Sequence, residues 1–125
     1  MVNSRAKGAR GERMFRDLCR EHGWNGVRRT QQYCGNTGDA ADVVGLPGIH
    51  VEVKHVERLS LTDAMAQSIH DANAEGKGAI PIVASKKNRQ AWVISMLAED
   101  WFKLYNVWEA DRRISENDVT DRPSC

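Results

Sequence analysis

Residues 42–54 read Asp42-Val43-Val44-Gly45-Leu46-Pro47-Gly48-Ile49-His50-Val51-Glu52-Val53-Lys54. Two β-rich runs, Ala41–Val44 and Ile49–Val56, flank a Gly-Leu-Pro-Gly connection, which is a hairpin signal. Side chains alternate along a strand, so Glu52 and Lys54 share one face while Val51 and Val53 face the other, towards a core. Register decides where Asp42 goes. If Leu46-Pro47-Gly48 is a three-residue loop, Gly45 pairs with Ile49 and Asp42 falls opposite Glu52. A four-residue loop pairs Val44 with Ile49 and sets Asp42 against Val51, on the wrong face. Gly48 can take the left-handed conformation that the three-residue loop needs, which favours the first register.

Outward from the hairpin, a helix is expected from about Ser4 to His22, with Gly8, Gly11, Phe15, Leu18 and Cys19 on one face and Gly23 ending it. Val27–Thr30 suits a short strand, and the glycine-rich Gln31–Asp39 a loop. Ser60-Leu61-Thr62-Asp63 resembles a capping box opening a second helix that stops at Gly76. Ala79–Ala84 and Ala91–Met96 read as two further strands around a basic turn, and Ala98–Trp108 as a last helix. The order α-β-β-β-α-β-β-α predicts an α/β domain, a central mixed sheet flanked by helices, over residues 1–110. Residues 111–125 read as a polar C-terminal tail, partly disordered.

Bulk properties set limits. The 125 residues suffice for one modest core. No apolar run approaches the ~20 residues that a membrane span requires, and the basic N-terminus lacks the apolar centre of a secretory signal. Cys19, Cys34 and Cys125 are too scattered for a disulfide or zinc framework, so a cytoplasmic location is expected. Net charge is +1, but residues 1–30 carry eight Lys and Arg against three acids, a net +5, and residues 109–125 carry three against five, a net −2. That asymmetry predicts a basic surface aimed at a polyanion.

The chemistry follows from Asp42, Glu52 and Lys54. Two carboxylates beside each other supply hard oxygen ligands for Mg²⁺. A metal there polarises a phosphate and lowers the pKa of a bound water, while the ammonium of Lys54 orients that water or offsets developing charge. The same spacing also fits a solvent-facing strand with an ordinary Glu–Lys pair, since exposed ion pairs are common and worth little. Glu12 sits on the seam between the apolar face of the first helix and a stripe of Arg5, Arg13, Arg16 and Arg20. It suits a metal-site residue beside a phosphate-binding stripe, or a plain i,i+4 pair with Arg16.

Gly8-Ala9-Arg10-Gly11-Glu12-Arg13, Asp42, Glu52-Val53-Lys54 and Gln67 together resemble the PD-(D/E)xK nucleases, in particular their small Holliday-junction-resolvase branch from archaea and phages. The resemblance runs from about Gly8 to Trp92. Ala41 stands where the family name has Pro, and Asp39 competes with Asp42 for the role of the acid, with Asp42 preferred for its strand position. It implies a restriction-endonuclease-like fold, Mg²⁺ with Mn²⁺ as a substitute, a homodimer and cleavage of branched DNA such as a four-way junction. It further implies that Asp42, Glu52, the Val53 carbonyl and Glu12 hold metal, that Lys54 activates water, and that Gln67 supports Lys54. Another nuclease of this fold (nicking, repair or restriction type) and a non-catalytic DNA binder are the alternatives. DNA contacts are expected from Arg5, Arg10, Arg13, Arg16, Arg28 and Arg29, and from Lys86, Lys87 and Arg89 at a hairpin tip. The aromatic stripe Trp101, Tyr105 and Trp108 suits core or a dimer interface, and the four histidines a structural role.

Overall fold

The computed structural model describes residues 4–30 and 41–121, with side chains for 6–30 and 41–117. In chain order the elements are α1 (Ser4–Glu21), β1 (Arg28–Arg29), β2 (Val43–Val44), β3 (Ile49–His55), α2 (Leu61–Glu75), β4 (Ile80–Lys86), β5 (Val93–Met96) and α3 (Ala98–Asp121). The strands form one five-stranded sheet in the order β1-β2-β3-β4-β5. β3 and β4 are parallel, joined through α2, and every other neighbouring pair is antiparallel. The mixed sheet flanked by helices is the expected fold. The Gln31–Asp39 loop lies outside the described residues, as does Asp39 itself.

The hairpin has the three-residue register as far as Val43, but Asp42 does not lie directly opposite Glu52. Its N–H also donates to Val51 O, so Asp42 and Val43 both oppose Val51 as a bulge. Val43 pairs with Val51, Ile49 N–H donates to Leu46 C=O at 3.1 Å, and Gly48 is left-handed at φ +80°. Gly45 is constrained more severely. Its φ is +111°, and a Cβ there would lie 2.7 Å from Gly26 O and Val27 Cα, so only glycine lets the hairpin pass under the α1–β1 connection.

α1 and α2 cover opposite faces of β3. Val51 and Val53 join Phe15, Cys19, Val27, Val43, Ile82 and Ala84 in the core beneath α1, with Trp92 tilted onto Phe15 at 5.2 Å between ring centres. Gly11 brings α1 close to the sheet, since a Cβ there would meet His55 Cβ at 2.6 Å. On the other face α2 lays down Ala64, Ser68 and Ala72, and Ser68 Oγ donates to Ile82 O.

Four local expectations are revised. Ser60 precedes α2, but its hydroxyl donates to the Asp63 carboxylate at 2.8 Å and makes no side-chain bond to the helix backbone. β4 runs two residues past Ala84 because it pairs with β3 along its whole length. α3 does not stop at Trp108. It continues to Asp121, held along its exposed side by Arg112 paired with Glu109 and Glu116 and by Arg113 paired with Glu109, at i,i+3 and i,i+4 spacing. The polar segment after Asp111 is thus helical through Asp121. Trp101, Tyr105 and Trp108 are not core either; they stack along the outside of α3, 38–58% exposed.

Candidate active site

The site forms where β2 begins and β3 continues. Thr30 N–H donates to Asp42 O, and its buried hydroxyl to Ala41 O at 2.8 Å, which ties the chain before β2 to the end of β1. Asp42 N–H donates to Val51 O. Its side chain then reaches across, and Oδ2 accepts the Val53 N–H at 2.9 Å. A strand residue presents its N–H and C=O to the same side, so the Val53 carbonyl faces Asp42 as well.

Three acids converge here. Glu12 comes from α1, Asp42 from the start of β2 and Glu52 from β3. With Lys7, Gly8, Val53, Lys54, His55 and Val56 they line one cleft of about 340 Å³. Glu12 and Glu52 are both buried, at 7% exposure. Burial, reinforced by the Asp42 carboxylate, raises the Glu12 pKa, while Arg29 opposes the shift. Burial and then Asp42 push Glu52 up to about 7, against the counteracting pull of Lys54. Lys54 Nζ stands 3.5 Å from Glu52 Oε1 and remains partly open to solvent.

These donors fit a divalent cation. Asp42, Glu52, Glu12 and the Val53 carbonyl are hard oxygens of the kind Mg²⁺ and Mn²⁺ prefer. Burial first, and the Asp42 carboxylate second, disfavour the charged form of Glu52 more than Lys54 offsets, and bound positive charge would favour it.

The other expected residues divide. Arg10, Arg13 and Arg28 are exposed. Arg16 pairs with Asp17 at 2.9 Å, and Arg29 Nε lies 3.1 Å from Glu12 Oε1 inside the site. The Arg5 side chain falls outside the described set. Lys86, at the end of β4, stands level with His55 at the end of β3, so the Lys86–Arg89 turn shares the Lys54 end of the sheet. Asn88 anchors that turn, its Oδ1 3.2 Å from His55 Nε2 and its N–H donating to Glu57. Gln67 is exposed and donates to Asp71 at 2.9 Å rather than to Lys54, although both line a second cleft, of about 330 Å³, under α2.

Two features escaped the sequence reading. Arg29 is the partner of Glu12, a contact across 17 residues that no local pattern encodes. His50, Glu52 and Asp71 place ligand atoms within 4.8 Å of one another. Alternation puts His50 on the face of Glu52, so that half of the grouping was legible; the approach of Asp71 needed the packed α2.

The family described as "Phage putative PDDEXK endonuclease" matches residues 3–122. Among solved structures, the chain is similar to Archaeoglobus fulgidus Hjc, a Holliday junction resolvase from an archaeal hyperthermophile, at 26% sequence identity and a TM-score of 0.52, covering 72% of each chain. No curated protein matches the sequence.

Proposed function

This chain belongs to the phage PDDEXK endonuclease family, and from that premise we propose that it is a Mg²⁺-dependent endonuclease that resolves four-way DNA junctions as a homodimer. The observation that carries the reading is the convergence of Glu12, Asp42 and Glu52 on a single cleft with Lys54 at its edge. The likeness to an archaeal Holliday junction resolvase supports branched DNA as the substrate.

In this reading Asp42, Glu52, the Val53 carbonyl and Glu12 hold the cation. Bound there, Mg²⁺ supplies Lewis-acid charge at a phosphate oxygen and a water of lowered pKa. Asp42 is fixed by the Val53 N–H, so its carboxylate is already held in place before anything binds. Lys54, next to Glu52 and open to the cleft, orients the attacking water and offsets charge gained by the phosphate. Gln67 shapes the Lys54 side by holding Asp71. Arg29 neutralises Glu12. Arg10, Arg13 and Arg28 on one side, and Lys86, Lys87 and Arg89 on the other, bind the DNA backbone, with a strong dependence on salt.

The homodimer is supported by α3. Trp101, Phe102, Leu104, Tyr105, Val107, Trp108 and Ile114 are each 38–72% exposed. Side chains of this size leave roughly several hundred Å² of apolar surface uncovered, the scale of one side of a standard interface of about 800 Å². Such patches rarely stay exposed on a monomer. Among the described residues no helix is long and apolar enough to cross a membrane.

The test is cleavage by the purified protein, with Mg²⁺ and with EDTA, of a four-way junction beside linear, nicked and flapped duplexes. Metal-dependent, paired symmetric cuts confined to the junction are expected. Equal cutting of all four would remove the junction specificity, and tight binding without cutting would remove catalysis.

A further inference from the structure

β3 carries a second group of donors on its α2 side. His50 and Glu52 alternate onto that face, and Asp71 and Glu75 meet them from α2. The ligand atoms of His50, Glu52 and Asp71 lie within 4.8 Å of one another. The His50 side chain is wholly buried, at 0% exposure. Its Nδ1 is 3.2 Å from Glu75 Oε1 but out of line, so among the described residues neither ring nitrogen completes a hydrogen bond. Folded interiors almost always match such groups, and leaving both nitrogens of an imidazole unmatched is costly. Here the unmatched ring faces carboxylates that are themselves largely buried: Glu52, Asp71 and Glu75 expose only 9–14% of their side chains.

We propose that His50, Glu52 and Asp71 form a second cation site, separate from that of Asp42 and Glu12 and sharing Glu52 with it. Its class of ligand is a first-row transition-metal dication (Mn²⁺, Co²⁺ or Zn²⁺). One imidazole and two carboxylates favour these ions over Mg²⁺, which prefers all-oxygen shells rich in water. Ligand atoms at these separations need a modest contraction to reach bonding distances of about 2.0–2.2 Å. Asp71 and Glu52 come from different elements, so side-chain rotation can supply it. Glu75, beside Nδ1, is placed to orient the ring, as carboxylates do for metal-bound imidazoles. Gln67 does the same for Asp71 by donating to its Oδ2. The inference rests on the nuclease reading only through Glu52, and it gives the Asp71 carboxylate that Gln67 holds a ligand role of its own.

Co²⁺ is the probe, added to the full-length protein in excess Mg²⁺ so that the all-oxygen site is occupied. An imidazole bound through one nitrogen keeps its proton on the other, and Co²⁺ moves that proton's NMR resonance far outside the ordinary window. The wild type is expected to show one such exchangeable resonance. Asp71→Asn, of nearly the same shape and compatible with the fold, should remove it and weaken Co²⁺ binding at least tenfold; His50→Gln should do the same if it folds. Asp42→Asn should leave the resonance in place, as should His70→Gln, which controls for an adventitious surface site at the exposed His70–Asp71 pair. Absence of the resonance from the wild type, its survival in Asp71→Asn, or its loss in either Asp42→Asn or His70→Gln would overturn the proposal. Cleavage does not enter the readout, so failure of the nuclease reading would be seen separately.

Discussion

The two ends of the chain use helices in opposite ways. α1 is pressed against β3 through Gly11, buries Phe15 and Cys19, and by doing so delivers Glu12 to Asp42 and Glu52. α3 is longer, at 24 residues against 18, yet it holds its aromatic side chains outward, where they stack mainly on one another. The first helix is a scaffold for chemistry, and burial fixes it. The last is held by its own ion pairs and offers a surface. The same kind of substitution should therefore have opposite consequences in the two places.

The largest effect is expected at Phe15→Ala, which empties the α1 side of the core and should cost about 3–5 kcal/mol in chemical denaturation. A cost below about 1 kcal/mol would mean that α1 does not pin the sheet. Next comes Glu52. In EDTA its carboxyl keeps a proton in the folded chain up to about pH 7, whereas the unfolded chain loses it near 4.5. The stability this contributes is fully present below pH 4.5 and is lost as pH rises through about 7. Glu52→Gln should flatten that decline and stabilise the metal-free protein at pH 8 by roughly 1–3 kcal/mol. Mg²⁺ should raise the melting temperature of the wild type and not of this variant. A variant no more stable than wild type in EDTA would show that Glu52 is not strained by its neighbours.

On α3 the expectation reverses. Replacing Trp101 and Trp108 together by Ala should change the unfolding free energy of the isolated protomer by less than about 1 kcal/mol, since half-exposed side chains lose little packing. It should convert the proposed dimer to a monomer in sedimentation. A dimer that persists would place the interface elsewhere. The smallest effect on the fold is expected from Arg10→Ala with Arg13→Ala on the exposed side of α1. Stability should be unchanged, while the slope of log affinity for DNA against log salt should become shallower by about 1–2. An unchanged slope would remove α1 from the DNA surface.

The same contrast explains what was legible in the sequence. Alternation in Val51-Glu52-Val53-Lys54 and the turn chemistry of Gly48 are local, and they set the Val43–Val51 register. The bulge that sets Asp42 against Val51 and turns its carboxylate to the Val53 N–H is not encoded by them. The small residue Gly11 marked the face on which α1 packs, whereas Gly8 on the same face opens onto the cleft. Contacts made by tertiary packing were not legible. Arg29 looked like a phosphate contact because its sequence neighbours are basic, and only the fold brings it to Glu12. His50 looked structural because its partners Asp71 and Glu75 sit beyond a parallel crossover. The length of α3 was underestimated because charged residues after Trp108 read as a solvated tail, whereas their spacing pairs them along a helix. Its aromatic residues have helical spacing whether they cover a core or a partner, so periodicity could not distinguish the two.

The most direct test of the acid cluster is Asp42→Asn, measured for junction cleavage in Mg²⁺ and for junction binding in the same preparation. Cleavage should fall by at least about 10²-fold, with binding affinity kept within a few-fold of wild type. Cleavage at the wild-type rate would contradict the assignment of Asp42, Glu52 and Glu12 as the metal-holding acids.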